Sequence, residues 1–385
     1  MSRIAISPEI VQWARERARL DLDALIARFP KLPQWESGEV LPTFKQLENF
    51  AKATHVPFGY LFLPEPPQIP MPIPDFRTLQ NQQLRTASPD LLDTIYSMQE
   101  RQAWLREARL ECEALPVSFV GSARITDDPV AIGQEMRRLL RLEDGWTANV
   151  RTWKEAVSAL RSAIEAQGIM AVINGIVGNN THRVLNVEEF RGFALVDDYA
   201  PLVFVNGADA KSAQMFTLAH ELAHLWLGAE GSGLSGFPGI FPDGGVVETF
   251  CDRAAAEFLV PEAELRASWP GVRHTDTPFE SLARRFKVSP IVVGRRAMDL
   301  RLVDRQQFFD FYEAYIRQER NRQQNASGGG DFYNNQNTRV GGLFAREVIR
   351  AAKEGRIGFK RAYDLTGLNG GAFQEYAHRL GMELP

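Results

Sequence analysis

The chain has 385 residues, of which 44% are hydrophobic and 24% charged, and its formal net charge is -4. This length allows two or three domains with a substantial core. The mildly acidic balance argues against a protein that mainly coats nucleic acid or an anionic membrane, because nothing overall attracts phosphate. The charged amino terminus lacks a secretory signal, and no run of ~18 uncharged apolar residues suits a membrane span. We therefore expect a cytoplasmic protein without a membrane partner.

Residues 1–64 have the periodicity of short amphipathic helices. Here the chain resembles the helix-turn-helix domain of the Xre repressor family. The positions that match its signature are Trp35, Glu36, Gly38, Pro42, Leu47 and Ala51. Only residues 30–33 separate this signature from the preceding helix, which is too few for a full recognition helix. We predict a degenerate Xre-like domain that serves as a scaffold or docks a protein, and DNA binding stays open as the weaker interpretation.

The rest of the chain divides by composition and periodicity. Ser88 before Pro89, and Asp128 before Pro129, predict the starts of two helices. Apolar runs at 169–173, 190–196 and 201–206 indicate strands. A proline-rich stretch predicts an extended connector, and the glycines after residue 324 predict a flexible break. The predicted domains are 1–64 (Xre-like), 65–87 (connector), 88–324 (metallopeptidase domain) and 325–385 (helical tail).

The stretch FTLAHELAHLWLG, from Phe216 to Gly228, places two imidazoles and a carboxylate in an otherwise apolar run. His220 and His224 are four residues apart, so on a helix they share one face and can reach a single ion. Glu221 lies beside that face. In this arrangement two histidines bind Zn²⁺ and the glutamate accepts a proton from water. Two ordinary core histidines are the alternative, which the burial of all three polar groups disfavours.

A catalytic zinc site needs a third protein ligand. In VVETFCDRAAAEFLVP, Glu248 and Asp252 lie four residues apart on one face of a predicted apolar helix. We predict Glu248 as the third ligand and Asp252 as the acceptor for the free N–H of a ligating histidine. The alternative makes Glu248 a solvated residue of the first helical turn, as Glu257 is expected to be. Rival third ligands are Glu230, His182 and His274.

Two further segments could border the predicted cleft. Residues 228–245 contain seven glycines and could form a mobile flap or a loose connector. Residues 188–196 could hold an extended peptide by strand addition, or could be purely structural. The group that stabilises an oxyanion is not evident, and His274 and Tyr312 stay open as candidates.

At these residues the chain resembles the ImmA/IrrE family of metallopeptidases. The motifs that carry the resemblance are the Xre-like start, PDFR, FRGFAL, FTLAHELAH, ETFCDRAAAEFLVP, FKVSP and GRIGFKRAYDLTGL. It implies an α+β, predominantly helical fold, with a zincin-like core flanked by helical amino- and carboxy-terminal domains. It also implies Zn²⁺ bound by His220, His224 and Glu248, with Glu221 as general base. The family commonly has Asn at the position of Asp252, which keeps a hydrogen-bond acceptor.

The resemblance implies a zinc-dependent endopeptidase, with another divalent ion such as Mn²⁺ as an alternative cofactor. Members of the family are implied to cleave Xre-type repressors, which switches on stress-response or mobile-element genes. The expected partner is therefore a repressor of this type. The competing interpretation is a DNA- or protein-binding transcriptional regulator with a structural or vestigial metal site. The complete set of two histidines and two glutamates argues against lost chemistry.

Overall fold

The computed structural model describes residues 3–73, 87–228, 234–235, 245–323 and 338–383. The chain divides into two compact units. The first comprises the described residues of Met1–Pro72 and Leu84–Tyr96, and the second those of Ile73–Gln83 and Ser97–Pro385. Much of the predicted connector, most of the glycine-rich loop and the predicted break after residue 324 lie outside the described residues.

The first unit is helical. Its helices are α1 (Pro8–Ala18), α2 (Leu22–Arg28), α3 (Leu32–Glu36), α4 (Phe44–Thr54) and the beginning of α5 (Pro89–Glu111). Trp35, Leu47 and Phe50 are buried in one apolar cluster. A capping box between Thr43 and Gln46 fixes the start of α4, because each side chain pairs with the backbone N–H of the other residue. Helix α3 has five residues, and the Xre-like assignment stays a prediction.

The second unit contains a four-stranded mixed sheet in the order β1-β5-β4-β6. The strands are β1 (Met170–Asn174), β4 (Gly192–Leu195), β5 (Leu202–Asn206) and β6 (Leu234–Ser235), with β2 (Ile176–Val177) and β3 (Asn180–Val184) in a separate hairpin. Strands β1 and β5 are parallel, and β4 is antiparallel to β5 with Gly192 opposite Val205. Every residue of β1, β4 and β5 is buried. The three predicted strands are confirmed, whereas the hairpin was not predicted.

Helices surround this sheet. They are α6 (Pro129–Leu139), α7 (Trp153–Ala166), α8 (Lys211–Leu227), α9 (Gly245–Leu259), α10 (Glu262–Ser268), α11 (Pro278–Phe286), α12 (Pro290–Asp299) and α13 (Arg305–Gln323). Helix α8 contacts β4, β5, α7 and α9, so it lies between the sheet and α9. The predicted starts of α5 and α6 are confirmed, since Ser88 and Asp128 accept hydrogen bonds from the first turns.

Helix α8 is held at both ends. The side-chain amide of Gln214 donates to the carbonyl oxygens of Gly207 and Asp209, at 3.1 and 2.7 Å. At the other end, the N–H of Gly121 donates to the carbonyl oxygen of Leu225 at 3.0 Å, and this oxygen also accepts from the capping N–H of Gly228. Every residue from 214 to 227 is buried. The neighbours of α8 therefore fix both its position along its axis and its rotation.

The described carboxy-terminal residues of the second unit include the helices α14 (Gly342–Lys353), α15 (Phe359–Thr366) and α16 (Gly370–Arg379). Helix α14 packs against α7 and β1. Its first N–H, from Gly342, donates to Glu165 Oε1 at 2.7 Å. Within the described part of the chain, no helix has both the length and the apolar character to cross a bilayer. The fold is predominantly helical with a small mixed sheet, which confirms the predicted α+β class.

Candidate metal centre

Two helices distant in sequence bring three potential ligands together. Helix α8 carries His220 and His224, and the first turn of α9 carries Glu248. One ligand atom from each residue lies within 4.8 Å of the other two. His220 Nε2 is 3.0 Å from His224 Nε2 and 3.2 Å from Glu248 Oε2. His224 Nε2 is 3.6 Å from Glu248 Oε1.

This group fits a divalent cation. Two imidazole nitrogens and one carboxylate form a donor set that zinc takes in hydrolases, and ligands at about 2.0–2.1 Å from a tetrahedral ion lie about 3.3 Å apart. The three observed separations, from 3.0 to 3.6 Å, bracket that spacing. His220 is 3% exposed and His224 is 0% exposed. Buried polar groups at this separation need a shared partner, and a cation would provide one.

Asp252 lies behind the first imidazole. Its Oδ1 is 2.9 Å from His220 Nδ1, the ring nitrogen that faces away from Glu248. Burial alone would lower the pKa of His220, but hydrogen bonds and charges from Asp252 and Glu248 outweigh burial and raise the pKa well above its ordinary value. A cation bound at Nε2 would take the place of the proton on that nitrogen, while Asp252 would keep the proton on Nδ1 and so orient the ring. The structure thus brings Asp252 against the ring of His220, and its role as the acceptor for Nδ1–H stays a prediction.

We expect Asp252→Ala to weaken metal binding by about 10- to 100-fold, because the imidazole of His220 loses the group that orients it. Asp252→Asn should lose less, since its amide oxygen still accepts from Nδ1–H. Competition with a chelating dye would measure both affinities at one pH. An alanine variant that binds metal as tightly as the unmodified protein would show that the 2.9 Å contact does not support the ring.

Glu221 is wholly buried on α8, against β4. A Cβ atom added to Gly192 would lie 2.7 Å from Glu221 Oε1 and 2.8 Å from the carbonyl oxygen of Phe204. Any side chain at Gly192 would therefore displace the carboxylate or the sheet. Gly192 was not among the residues predicted from sequence. The available signal was a glycine inside a strand, which indicates close approach of another group.

The negative charge of this region affects the pKa of the buried thiol of Cys251. Burial raises its pKa, and the negative charges of Glu248, Asp252 and Glu221 raise it further, to well above its ordinary value. The three carboxylates therefore lie near one buried point, together with two histidines. Such a concentration of negative charge at low exposure favours a bound cation.

The structure separates the other predicted candidates from this group. Glu230 lies outside the described residues. His182, on β3, and His274 are exposed, and the group that could hold a metal ion among the described residues includes neither. Tyr312 lies in α13, where its ring stacks on Phe308.

The expectation that Glu257 is solvated was wrong. Its side chain is 3% exposed and forms an ion pair with Arg296 of α12. Gln134 of α6 also donates to Glu257 Oε1 at 3.2 Å. The helical periodicity of α9 could not reveal these contacts, because both partners come from other helices.

Comparison with known families agrees with this geometry. Residues 165–298 match the model of the IrrE N-terminal-like domain of the M78 peptidases. Residues 340–379 match a domain of unknown function, DUF8813. No curated protein and no solved structure matches the chain. The first match contains His220, Glu221, His224, Glu248 and Asp252. This match supports assignment of the chain to the ImmA/IrrE family and to metallopeptidases of this type. The Xre-like start lies outside the matched residues.

Proposed function

We propose that this chain, whose residues 165–298 match a peptidase domain of the IrrE type, is a zinc-dependent endopeptidase. The observation that carries the proposal is the convergence of His220, His224 and Glu248 from two helices. Glu221, a buried carboxylate on the same helix as the two histidines, adds a proton acceptor to this group. A site that served only to stabilise the fold would not need that additional acid.

Each residue has a distinct role in this proposal. His220, His224 and Glu248 hold the ion, and Asp252 orients the ring of His220. A zinc ion held by these residues would supply Lewis acidity, polarising the scissile carbonyl and lowering the pKa of water. Glu221 accepts the proton of the attacking water and then donates it to the departing amine. Because Glu221 is 0% exposed, bulk water does not exchange freely with its carboxylate.

The substrate backbone is proposed to bind along β4, because this strand contacts α8 next to Glu221. Strand β6 already pairs with β4 at Gly192 and Phe193. An extended peptide that joins the sheet at this edge would therefore replace β6 or continue from it. Main-chain hydrogen bonds to a strand position the peptide, and side-chain pockets then select its sequence.

The proposed substrate is a repressor of the Xre type, and its cleavage would derepress stress-response or mobile-element genes in the cytoplasm. Support for this substrate class comes from the motifs shared with the ImmA/IrrE family and from the match of residues 165–298. The helical first unit, with its Xre-like signature, is proposed to contribute to recognition of that protein. Binding of DNA by this unit is the weaker interpretation.

The test is incubation of the Zn²⁺-loaded protein with repressors encoded beside its gene, with fragments identified by mass spectrometry. We expect cleavage at one or a few defined bonds, loss of cleavage after chelation, and recovery when Zn²⁺ is restored. Parallel recovery with Mn²⁺ would measure how strictly the site selects its ion. Absence of fragments, combined with repressor or DNA binding that survives chelation, would instead identify a regulatory binding protein.

A further inference from the structure

A cavity of about 710 Å³ lies at the carboxyl ends of two strands in the second unit. The parallel strands β1 and β5 end at Asn174 and Asn206, and the turns that follow them line the cavity. Ligands of sheets with parallel strands bind at the carboxyl ends of those strands. The volume falls in the range of small-molecule sites. His220 lies nine residues along α8 from the cavity residue Lys211, about 13 Å away, so this cavity is separate from the metal centre.

Two glycines bring the turns that line the cavity into close contact. A Cβ atom added to Gly175 would lie 2.5 Å from the amide nitrogen of Ala208, and one added to Gly207 would lie 2.7 Å from the nitrogen of Gly175. Neither position can therefore take a side chain without moving the other turn. The two glycines let the turns touch and keep the space above them open.

Five cationic residues line the cavity. They are Lys154, Arg161, Lys211, Arg339 and Arg379, and no acidic residue is found among the described residues that line the cavity. A cavity with this lining is expected to concentrate anions, because several positive charges share one concave surface.

Acids outside the cavity balance two of these charges. Arg161 pairs with Glu165 at 2.9 Å, and Arg379 pairs with Glu375 at 2.7 Å. The other three cations, which we call the free cationic group, are Lys154, Lys211 and Arg339. None of the three forms an ion pair with a residue that the structure describes, and Lys211 Nζ donates only to the neutral side chain of Gln214, at 3.0 Å.

For two members of the free cationic group, Lys211 and Arg339, the charged form is disfavoured. Desolvation, followed by the positive charge of Lys154, lowers the pKa of Lys211. Desolvation also lowers the pKa of Arg339. Lys154 and Lys211 therefore lie close enough to repel each other. An anion between them would remove that repulsion.

Two further features suit an anionic organic ligand. Helix α8 begins in the cavity, and its N-cap, Ala210, has no side chain that caps the first N–H groups, so the positive end of the helix dipole faces this region. Val157, Ile176 and Leu380 also line the cavity. We call these three residues the apolar wall, which could accommodate the uncharged part of a ligand.

We propose that this cavity binds a phosphate ester of about nucleotide size, with its phosphate at the free cationic group and its organic part at the apolar wall. A phosphate monoester carries about 1.5 to 2 negative charges at neutral pH and offers three acceptor oxygens. Arginine and lysine are the side chains that bind such groups most often. This site is independent of the proposed peptidase activity, so either could fail without the other.

Calorimetric titration of the full-length, metal-loaded protein at low ionic strength tests the proposal. The probes are adenosine monophosphate, ribose 5-phosphate, inorganic phosphate and a short single-stranded oligonucleotide. We expect the two esters to bind more tightly than inorganic phosphate, and the comparison between them shows whether a base or a sugar fills the wall. The double variant Lys154→Gln/Lys211→Gln should weaken binding at least tenfold. The matched control Lys353→Gln/Lys360→Gln removes two exposed charges elsewhere in the same unit and should change affinity less than twofold.

Three results would overturn the proposal. The first is failure of all probes to bind to the unmodified protein. The second is equal affinity of the cavity double variant and the unmodified protein, which would place any binding elsewhere, such as at the metal centre. The third is tighter binding of a short single-stranded oligonucleotide than of either ester, which would indicate an extended nucleic-acid surface. Because Lys154 and Lys211 are both exposed, their replacement should leave the fold intact, and circular dichroism checks this.

Discussion

Glu221→Gln should abolish measurable cleavage while the protein keeps its metal. The change preserves the size of the side chain but removes the group that accepts a proton, so we expect a loss of about 10²- to 10⁴-fold in kcat. The ligands His220, His224 and Glu248 are unchanged, and metal content should stay equal to that of the unmodified protein. Cleavage rates and metal content measured on the same preparation separate the two effects.

The matched control is Glu313→Gln, an exposed residue of α13. It carries the same chemical change and should cleave at the unmodified rate. A Glu221→Gln variant that cleaves normally would remove Glu221 from the mechanism. A variant that loses its metal together with its activity would instead assign Glu221 to the integrity of the ion site.

Loss of the ion should also destabilise the second unit. In the absence of a cation, the carboxylates of Glu248 and Asp252 share a buried region with two imidazoles. A free metal concentration 1,000 times Kd would stabilise the native state by roughly 4 kcal/mol, and chelation removes this contribution. We therefore expect a melting temperature several degrees lower after chelation, measured by differential scanning calorimetry.

His224→Ala should reproduce the effect of chelation in the presence of metal. Loss of a residue that only hydrogen-bonds a ligand weakens metal binding by roughly 100-fold at most. Loss of His224, which is itself a proposed ligand, should weaken metal binding by more than this. His182→Ala and His274→Ala are the controls, because both histidines are exposed and lie outside the ligand group. If either control lost the ion and His224→Ala kept it, the proposed ligand set would be wrong.

The residues of the metal centre could be predicted from the sequence because they occur as two pairs, each with its members close together in the chain. His220 and His224 are one helical turn apart, as are Glu248 and Asp252, and each pair lies within a single helix. Four-residue spacing fixes a common face whatever the rest of the fold does. The meeting of the two helices was predicted from the chemistry of zinc, which requires a third ligand, rather than from any packing pattern.

Features that depend on distant segments were missed. Arg296, which lies on α12, forms an ion pair with Glu257 of α9. The sequence pattern of α9 does not predict a partner on another helix. The free cationic group comes from three places in the chain, residues 154, 211 and 339, which only the folded structure assembles. The hairpin of β2 and β3 was missed because Asn180–Val184 is mostly exposed and carries no alternating apolar pattern.

Helix α8 is held at Gln214 and at Leu225. The number of residues between these two points therefore determines where the imidazoles of His220 and His224 lie. One residue inserted after Gln214 would turn everything beyond it by about 100° and advance it by about 1.5 Å, if the first clamp held. Both imidazoles would then no longer face Glu248, although every residue that the proposed reaction needs would still be present. Conservative replacement is therefore a milder perturbation of this helix than any change in its residue count.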